Sequence, residues 1–217
     1  MMHKQFIIHY ACANLLPDPT SYVTAIGICE ISTQQLLTFS MEDAQKDLGP
    51  QSSFVALEAT LLKAFFAFVS DHPDALWIHW HMHNAAYGFE VLRERYEMVW
   101  HTPAPQFTST INLPDKIFDT MQRHCRIYPN MYRCFKRNGV NDQAILSGKE
   151  EAEHFQKATF ALITYSVRAK TEALAVIYKK LQEKRLETSC NRSDKKVWVA
   201  GLLICMVAAA YLAMRGV

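Results

Sequence analysis

Runs and periods of apolar residues predict most of the elements. "FIIHYACAN" (Phe6–Asn14) is almost wholly apolar, as a buried strand is. Pro17, Asp18 and Pro19 supply a turn. "YVTAIGICEIS" (Tyr22–Ser32), rich in β-branched residues, follows as a second strand, and "QQLLTFSM" (Gln34–Met41) as a third. "FVALEATLLKAFFAFVSDHP" (Phe54–Pro73) changes to helical spacing and stops at Asp71–Pro73. "ALWIHW" (Ala75–Trp80) returns to a strand, and "AAYGFEVLRERYEMV" (Ala85–Val99) to a helix. After the proline loop Thr102–Pro105, Ile111–Tyr128 is mainly helical, "RNGVND" (Arg137–Asp142) is a turn, and 149–188 is strongly helical. Three strands in succession, then helices alternating with strands, predict an α/β fold with a mixed sheet.

The end of the chain departs from this amphipathic pattern. "VWVAGLLICMVAAAYLAM" (Val197–Met214) is 18 residues without a charge. At about 1.5 Å per residue it spans roughly 27 Å, close to a hydrocarbon core. A transmembrane helix is expected there. The organisation is then a domain over 1–187, a linker over 188–196 and a membrane helix over 197–214. Arg192, Lys195 and Lys196 precede the segment and only Arg215 follows it, which places the large domain in the cytoplasm. Gly201, Cys205, Ala209 and Ala213 recur every four residues, a small-residue face through which such helices associate. A pathway through the membrane would need several copies.

Composition changes little. The chain has 217 residues, is 50% apolar and 20% charged, and carries a net charge of +2, so it is globular. The six cysteines (12, 29, 125, 134, 190, 205) form no paired or finger-like spacing and are expected as reduced thiols. At the N-terminus, His9 and Asn14 interrupt the apolar patch, and no small-x-small site closes it. A buried strand is expected there rather than a signal peptide.

Two stretches carry candidate chemistry. "RHCRIYPNMYRCFKRN" (Arg123–Asn138) holds five Lys/Arg, two tyrosines, one phenylalanine and no acidic residue. Cations that track phosphates beside rings that stack on bases make a single-strand binding composition. Arg123, Arg126, Tyr132, Arg133, Lys136 and Arg137 are the candidate contacts. The alternative is a solvated helix face with its rings in the core. "HWHMH" carries His79, His81 and His83 at alternate positions, which one strand would project from one face, with Trp80 and Met82 opposite. Metal ligation, a satisfied core role for His79, and a pocket role for His83 with Asn84 all stay open.

The element order resembles the DEDD-type 3′–5′ exonuclease domain, an RNase H-like fold, over residues 5–187. "FIIHYACANLLPDP…TAIGICEI" keeps the frame of that family's first motif, with Tyr10 and Cys12 at the acidic positions. "HNAAYGFEVL" is similar to the second motif, retaining His83, Asn84 and Tyr87 but placing Gly88 at the carboxylate position. "RAKTEA" is the nearest match to the last motif, with Arg168 in place of its histidine and Glu172 aligned with its aspartate; Lys170 lies between them. Two-metal hydrolysis needs several carboxylates around two cations about 3.5–4 Å apart. At most one of four remains, and Mg²⁺ requires oxygen ligands. The expectation is a domain that binds nucleic acid without cutting it and needs no cofactor. Arg168 and Lys170 would add phosphate contacts, the 3′ end would lie near Tyr10, Asn84 and Tyr87, and Cys12 and His83 would be further nucleic-acid contacts.

A degenerate exonuclease-like domain on a self-associating membrane helix is similar in layout to membrane effectors of bacterial anti-phage systems, the Hailong effectors among them. That resemblance implies a homotetrameric ion channel in the bacterial inner membrane. Short single-stranded DNA, made by a partner nucleotidyltransferase, would hold it closed. Two other expectations remain: a membrane-anchored exonuclease with a histidine-based metal site, and a tail-anchored protein-docking module.

Overall fold

The computed structural model describes residues 4–14, 21–84, 87–121, 129–141 and 143–188, with Asn84 and Met121 described by backbone alone. The chain runs β1 (Gln5–Cys12), β2 (Val23–Glu30), β3 (Leu36–Ser40), α1 (Met41–Leu48), α2 (Phe54–Ser70), β4 (Leu76–His79), β5 (His83–Asn84), β6 (Tyr87–Gly88), α3 (Phe89–Trp100), β7 (Ser109–Asn112), α4 (Leu113–Met121), α5 (Met131–Arg137), α6 (Gly148–Gln156) and α7 (Phe160–Gln182). Five strands form one mixed sheet in the order β3-β2-β1-β4-β7, and β5 pairs with β6 as a small ribbon. β1, β2 and β3 are an antiparallel meander, while β1, β4 and β7 run parallel. The expected α/β fold with a mixed sheet and flanking helices is present.

Alternation along β1 sends successive residues into different cores. Phe6, Ile8 and Tyr10 pack with Leu57, Leu61 and Phe65 of α2. Ile7 packs with Leu174, Ile177 and Leu181 of α7 on the other face. α7 lies so close to the sheet that a Cβ on Gly27 would sit 2.3 Å from the Thr171 hydroxyl oxygen. Glycine at that position lets the helix dock. Between α2 and α3 the fully buried Glu58 takes an ion pair from Arg95 and a hydrogen bond from the Val23 amide (2.7 Å).

One helix was not anticipated, and two expectations need correction. "MEDAQKDL" forms α1 immediately after β3; the Ser40 hydroxyl accepts from the Asp43 amide (3.1 Å) and starts the helix. Helix α3 begins at Phe89 rather than Ala85, because Tyr87 and Gly88 are extended in the ribbon with β5. Residues 109–112 form the edge strand β7, and the helix expected from Ile111 begins at Leu113.

No helix among the described residues is long and apolar enough to cross a membrane. The apolar segment 197–214, with Gly201, Cys205, Ala209 and Ala213, lies outside those residues, as do Arg123 and Arg126.

Candidate functional site

β1 outruns its parallel neighbour. Ile8 pairs with His79, the last residue of β4, so His9–Cys12 continue alongside β2 alone. The ribbon strand β6 folds onto that open flank. The Tyr10 hydroxyl accepts from the Gly88 amide (2.9 Å), and the Tyr87 hydroxyl donates to the Tyr10 carbonyl (2.9 Å). The two rings stack with centroids 4.3 Å apart and planes 11° apart. The Tyr87 hydroxyl also lies 3.2 Å from His9 Nδ1. Since its proton goes to Tyr10, it accepts there if His9 carries its hydrogen on Nδ1. Burial pushes both phenols above their ordinary range and His9 well below its own, with the Lys170 charge adding to the effect on His9.

Helices α6 and α7 close this centre from the side. Ser147 and Glu150 form a capping box that starts α6 and turns Glu151 inward. Glu151 accepts from the Lys170 ammonium and from the Ser166 hydroxyl, both at 2.8 Å. Ser166 in turn accepts from the Leu146 amide (3.0 Å). Burial holds the Glu151 carboxyl above its ordinary value, and Lys170 and Ser166 oppose that shift. Burial also pushes the Cys12 thiol up to about 11.

Residues Ser166 and Lys170 of α7, four apart, face the sheet here. Arg168 and Glu172, the pair suggested by the third motif, are exposed. That register is corrected: Ile163, Val167, Lys170, Leu174 and Ile177 form the buried stripe. Lys170 is therefore no surface phosphate contact, and the buried Tyr10 and Cys12 turn their polar atoms to partners inside the fold, the Gly88 amide and the Asn14 carbonyl. The group also does not fit a pair of hard divalent cations. Its carboxylate is held by an ammonium, and its other members are two phenols, an imidazole, a serine hydroxyl, a thiol and a glycine.

The three histidines do not share a strand face. β4 ends at His79, and His81 adopts a left-handed φ of 58°, which breaks the alternation. Trp80 enters one core and Met82 the other. His79 is buried, and its Nδ1 accepts from the Met82 amide (3.1 Å), so it supports the turn. Burial and the neighbouring His83 push it down to about 4. The His81 amide donates to Asn112 Oδ1 (2.9 Å), tying the turn to the end of β7. Beside this turn a cleft of about 610 Å³ opens between α3 and β7, with His79 and His83 in its lining.

The basic segment is different. α5 buries Cys134 and Phe135, while Tyr132, Arg133, Lys136 and Arg137 are exposed on its other side. The spacing i, i+1, i+4, i+5 puts all four on one face. Among the described residues none of these three cations has an ion-pair partner. The helix is anchored through Asn138. That side chain donates to the Glu187 carbonyl (2.9 Å) and accepts from its amide (3.0 Å), and Lys180 donates to the Asn138 carbonyl (2.6 Å). The α5 face is thus clamped to the stretch of chain just before the apolar segment.

Of the expected contacts, the structure gathers Tyr132, Arg133, Lys136 and Arg137 on α5, leaves Arg168 exposed on α7 and His83 exposed in β5, and buries Tyr10, Cys12 and Lys170. Tyr87 is half-buried against Tyr10, and the Asn84 side chain lies outside the described residues. His9, Glu151 and Ser166 were not anticipated. One signal for them is legible: Lys170 interrupts an otherwise apolar helical stripe, which calls for a buried anion. Neither a family model nor a curated protein matches the chain.

Proposed function

We propose that the chain is a single-pass membrane effector whose RNase H-like, exonuclease-like domain binds short single-stranded DNA without hydrolysing it. The observation that carries this reading is the exposed α5 face, where Tyr132 lies beside three cations without ion-pair partners among the described residues. Such a face tracks phosphates and offers a ring to an unpaired base. The strand order, an antiparallel meander followed by two parallel strands, is compatible with the RNase H-like frame. The filled centre around Tyr10, Tyr87 and the Lys170–Glu151 pair favours binding over cutting, because among the described residues it offers no free carboxylate to a metal.

In this reading the 18-residue apolar segment is the anchor in a bacterial inner membrane, and the excess of Arg192, Lys195 and Lys196 ahead of it supports a cytoplasmic domain. Its small-residue face, Gly201, Cys205, Ala209 and Ala213, lets copies associate in the lipid, and the homotetrameric ion channel is what the likeness to anti-phage membrane effectors implies. The Asn138 clamp gives the ligand a route to that channel, because the oligonucleotide and Glu187 hold opposite sides of one short helix. DNA made by a partner nucleotidyltransferase holds the closed state, and its loss during phage infection opens the pore. A thousandfold preference for the closed state, about 4 kcal/mol, would suffice to silence a pore moderately biased towards opening.

The full chain reconstituted in vesicles tests this. Ion efflux should occur without ligand and stop on adding a single-stranded oligonucleotide of about a dozen nucleotides, a length within common single-strand site sizes. The oligonucleotide should be recovered intact in Mg²⁺. Shortened product would favour the exonuclease, and neither binding nor efflux would leave a docking module.

A further inference from the structure

The cleft between α3 and β7 shares no lining residue with the α5 face or the polar centre of β1. Its volume of about 610 Å³ falls within the roughly 300–1,000 Å³ of small-ligand sites. Phe89 and Phe107, with ring centroids 4.4 Å apart, and the buried Met82 form an apolar, largely aromatic wall. Gln106 and Thr110 line the same cleft and are exposed, and neither side chain has a hydrogen-bond partner among the described residues.

His79 adds a third polar group. Its pKa, lowered to about 4, leaves the imidazole neutral at pH 7. Because Nδ1 accepts from Met82, the hydrogen sits on Nε2, which is a donor. Charge narrows the class of ligand further. Glu90 and Glu94 stand on the rim, and the cleft's cation, Arg93, has its charge paired by Glu90 at 2.9 Å and Glu97 at 3.5 Å, with its buried Nε left as one further donor. A rim that is negative on balance repels phosphate and carboxylate groups, while the His79 donor opposes a bound cation. What remains is a flat, uncharged ring with donors and acceptors on its edge.

We infer that this cleft binds a nucleobase or nucleoside, with the ring against Phe89 and Phe107 and its edge read by Gln106, Thr110 and His79. The site takes the base and excludes the phosphate, in contrast to α5, where cations dominate. It goes beyond the proposed function and does not depend on it, since a free nucleoside is a sufficient ligand.

The test is a saturation-transfer and calorimetric titration of the full chain in mild detergent with adenosine, guanosine, cytidine and thymidine, and with inorganic phosphate and choline as controls. At least one nucleoside should bind saturably, and the controls should not. Gln106→Ala combined with Thr110→Val, both at exposed positions, should weaken that binding about tenfold through lost edge hydrogen bonds. Arg133→Ala with Lys136→Ala should leave it unchanged. Absence of nucleoside binding, binding indifferent to the Gln106 and Thr110 changes, or binding of choline instead would overturn the inference. Oligonucleotide affinity without nucleoside affinity would leave the α5 reading standing and remove this one.

Discussion

Two groups of similar residues have opposite fates in this protein. At the end of β1, a lysine, a tyrosine and a histidine are buried, a second tyrosine is half-buried, and nearly every polar atom has a partner. On α5, two arginines, a lysine and a tyrosine are exposed, and the cations have no ion-pair partner among the described residues. Side-chain chemistry alone does not separate a structural site from a binding surface. Whether a charge is already neutralised within the fold does. The first group is expected to govern stability and the second affinity, and changes to each should show that division.

The largest effect is expected at Lys170. Lys170→Met strands the Glu151 carboxylate, now 5% exposed, and should cost about 3–5 kcal/mol in chemical denaturation. Adding Glu151→Leu should restore most of the loss, since removing both charges removes the stranded one. A small loss in the single variant would mean that Glu151 reaches water and the centre is not sealed.

Next comes pH. His79 is depressed in the fold, so its contribution is complete above its unfolded value near 6.5 and is lost as pH falls towards about 4. The total is on the order of 3 kcal/mol, about 1.4 kcal/mol per pH unit. His9, also depressed, acts in the same direction, while Glu58 and Glu151, both raised by burial, act oppositely as pH falls towards their ordinary value of 4.5. The difference between the wild type and His79→Gln isolates the first contribution. It should shrink steadily from pH 6.5 to 4, and a constant difference would refute the neutral His79.

Asn138→Ala should cost about 1–3 kcal/mol, because it frees the Glu187 amide and carbonyl from their partner. Its sharper signature is functional: oligonucleotide affinity is retained while the ligand's control of ion efflux is weakened. Equal loss of both would make Asn138 part of the binding face rather than a clamp.

The same contrast explains what the sequence made legible. Buried strands β1 and β2 stand out because both faces are apolar, and α2 because its period is regular. Helix α1, with only Met41 and Ala44 buried, lacks a stripe wide enough to read, and β7 is an exposed edge strand followed at once by a helix. The α5 face is legible because a surface is written locally, in residues close in sequence. The polar centre is not: Lys170 meets its partner 19 residues away, and Tyr87 meets Tyr10 77 residues away. Reading the last helix by motif spacing chose Arg168 and Glu172, whereas packing turned Ser166 and Lys170 inward.

The smallest effect on stability, within about 0.5 kcal/mol, is expected for Arg133→Ala with Lys136→Ala, both exposed. The same pair tests the central claim most directly, through the salt dependence of single-stranded DNA binding by the full chain. Each phosphate contact contributes about 0.7 to the slope of log affinity on log salt. The double variant should therefore bind more weakly, with a slope shallower by about 1.4 if each side chain meets one phosphate. An unchanged slope and affinity would contradict the account, because the DNA would then be held somewhere other than α5.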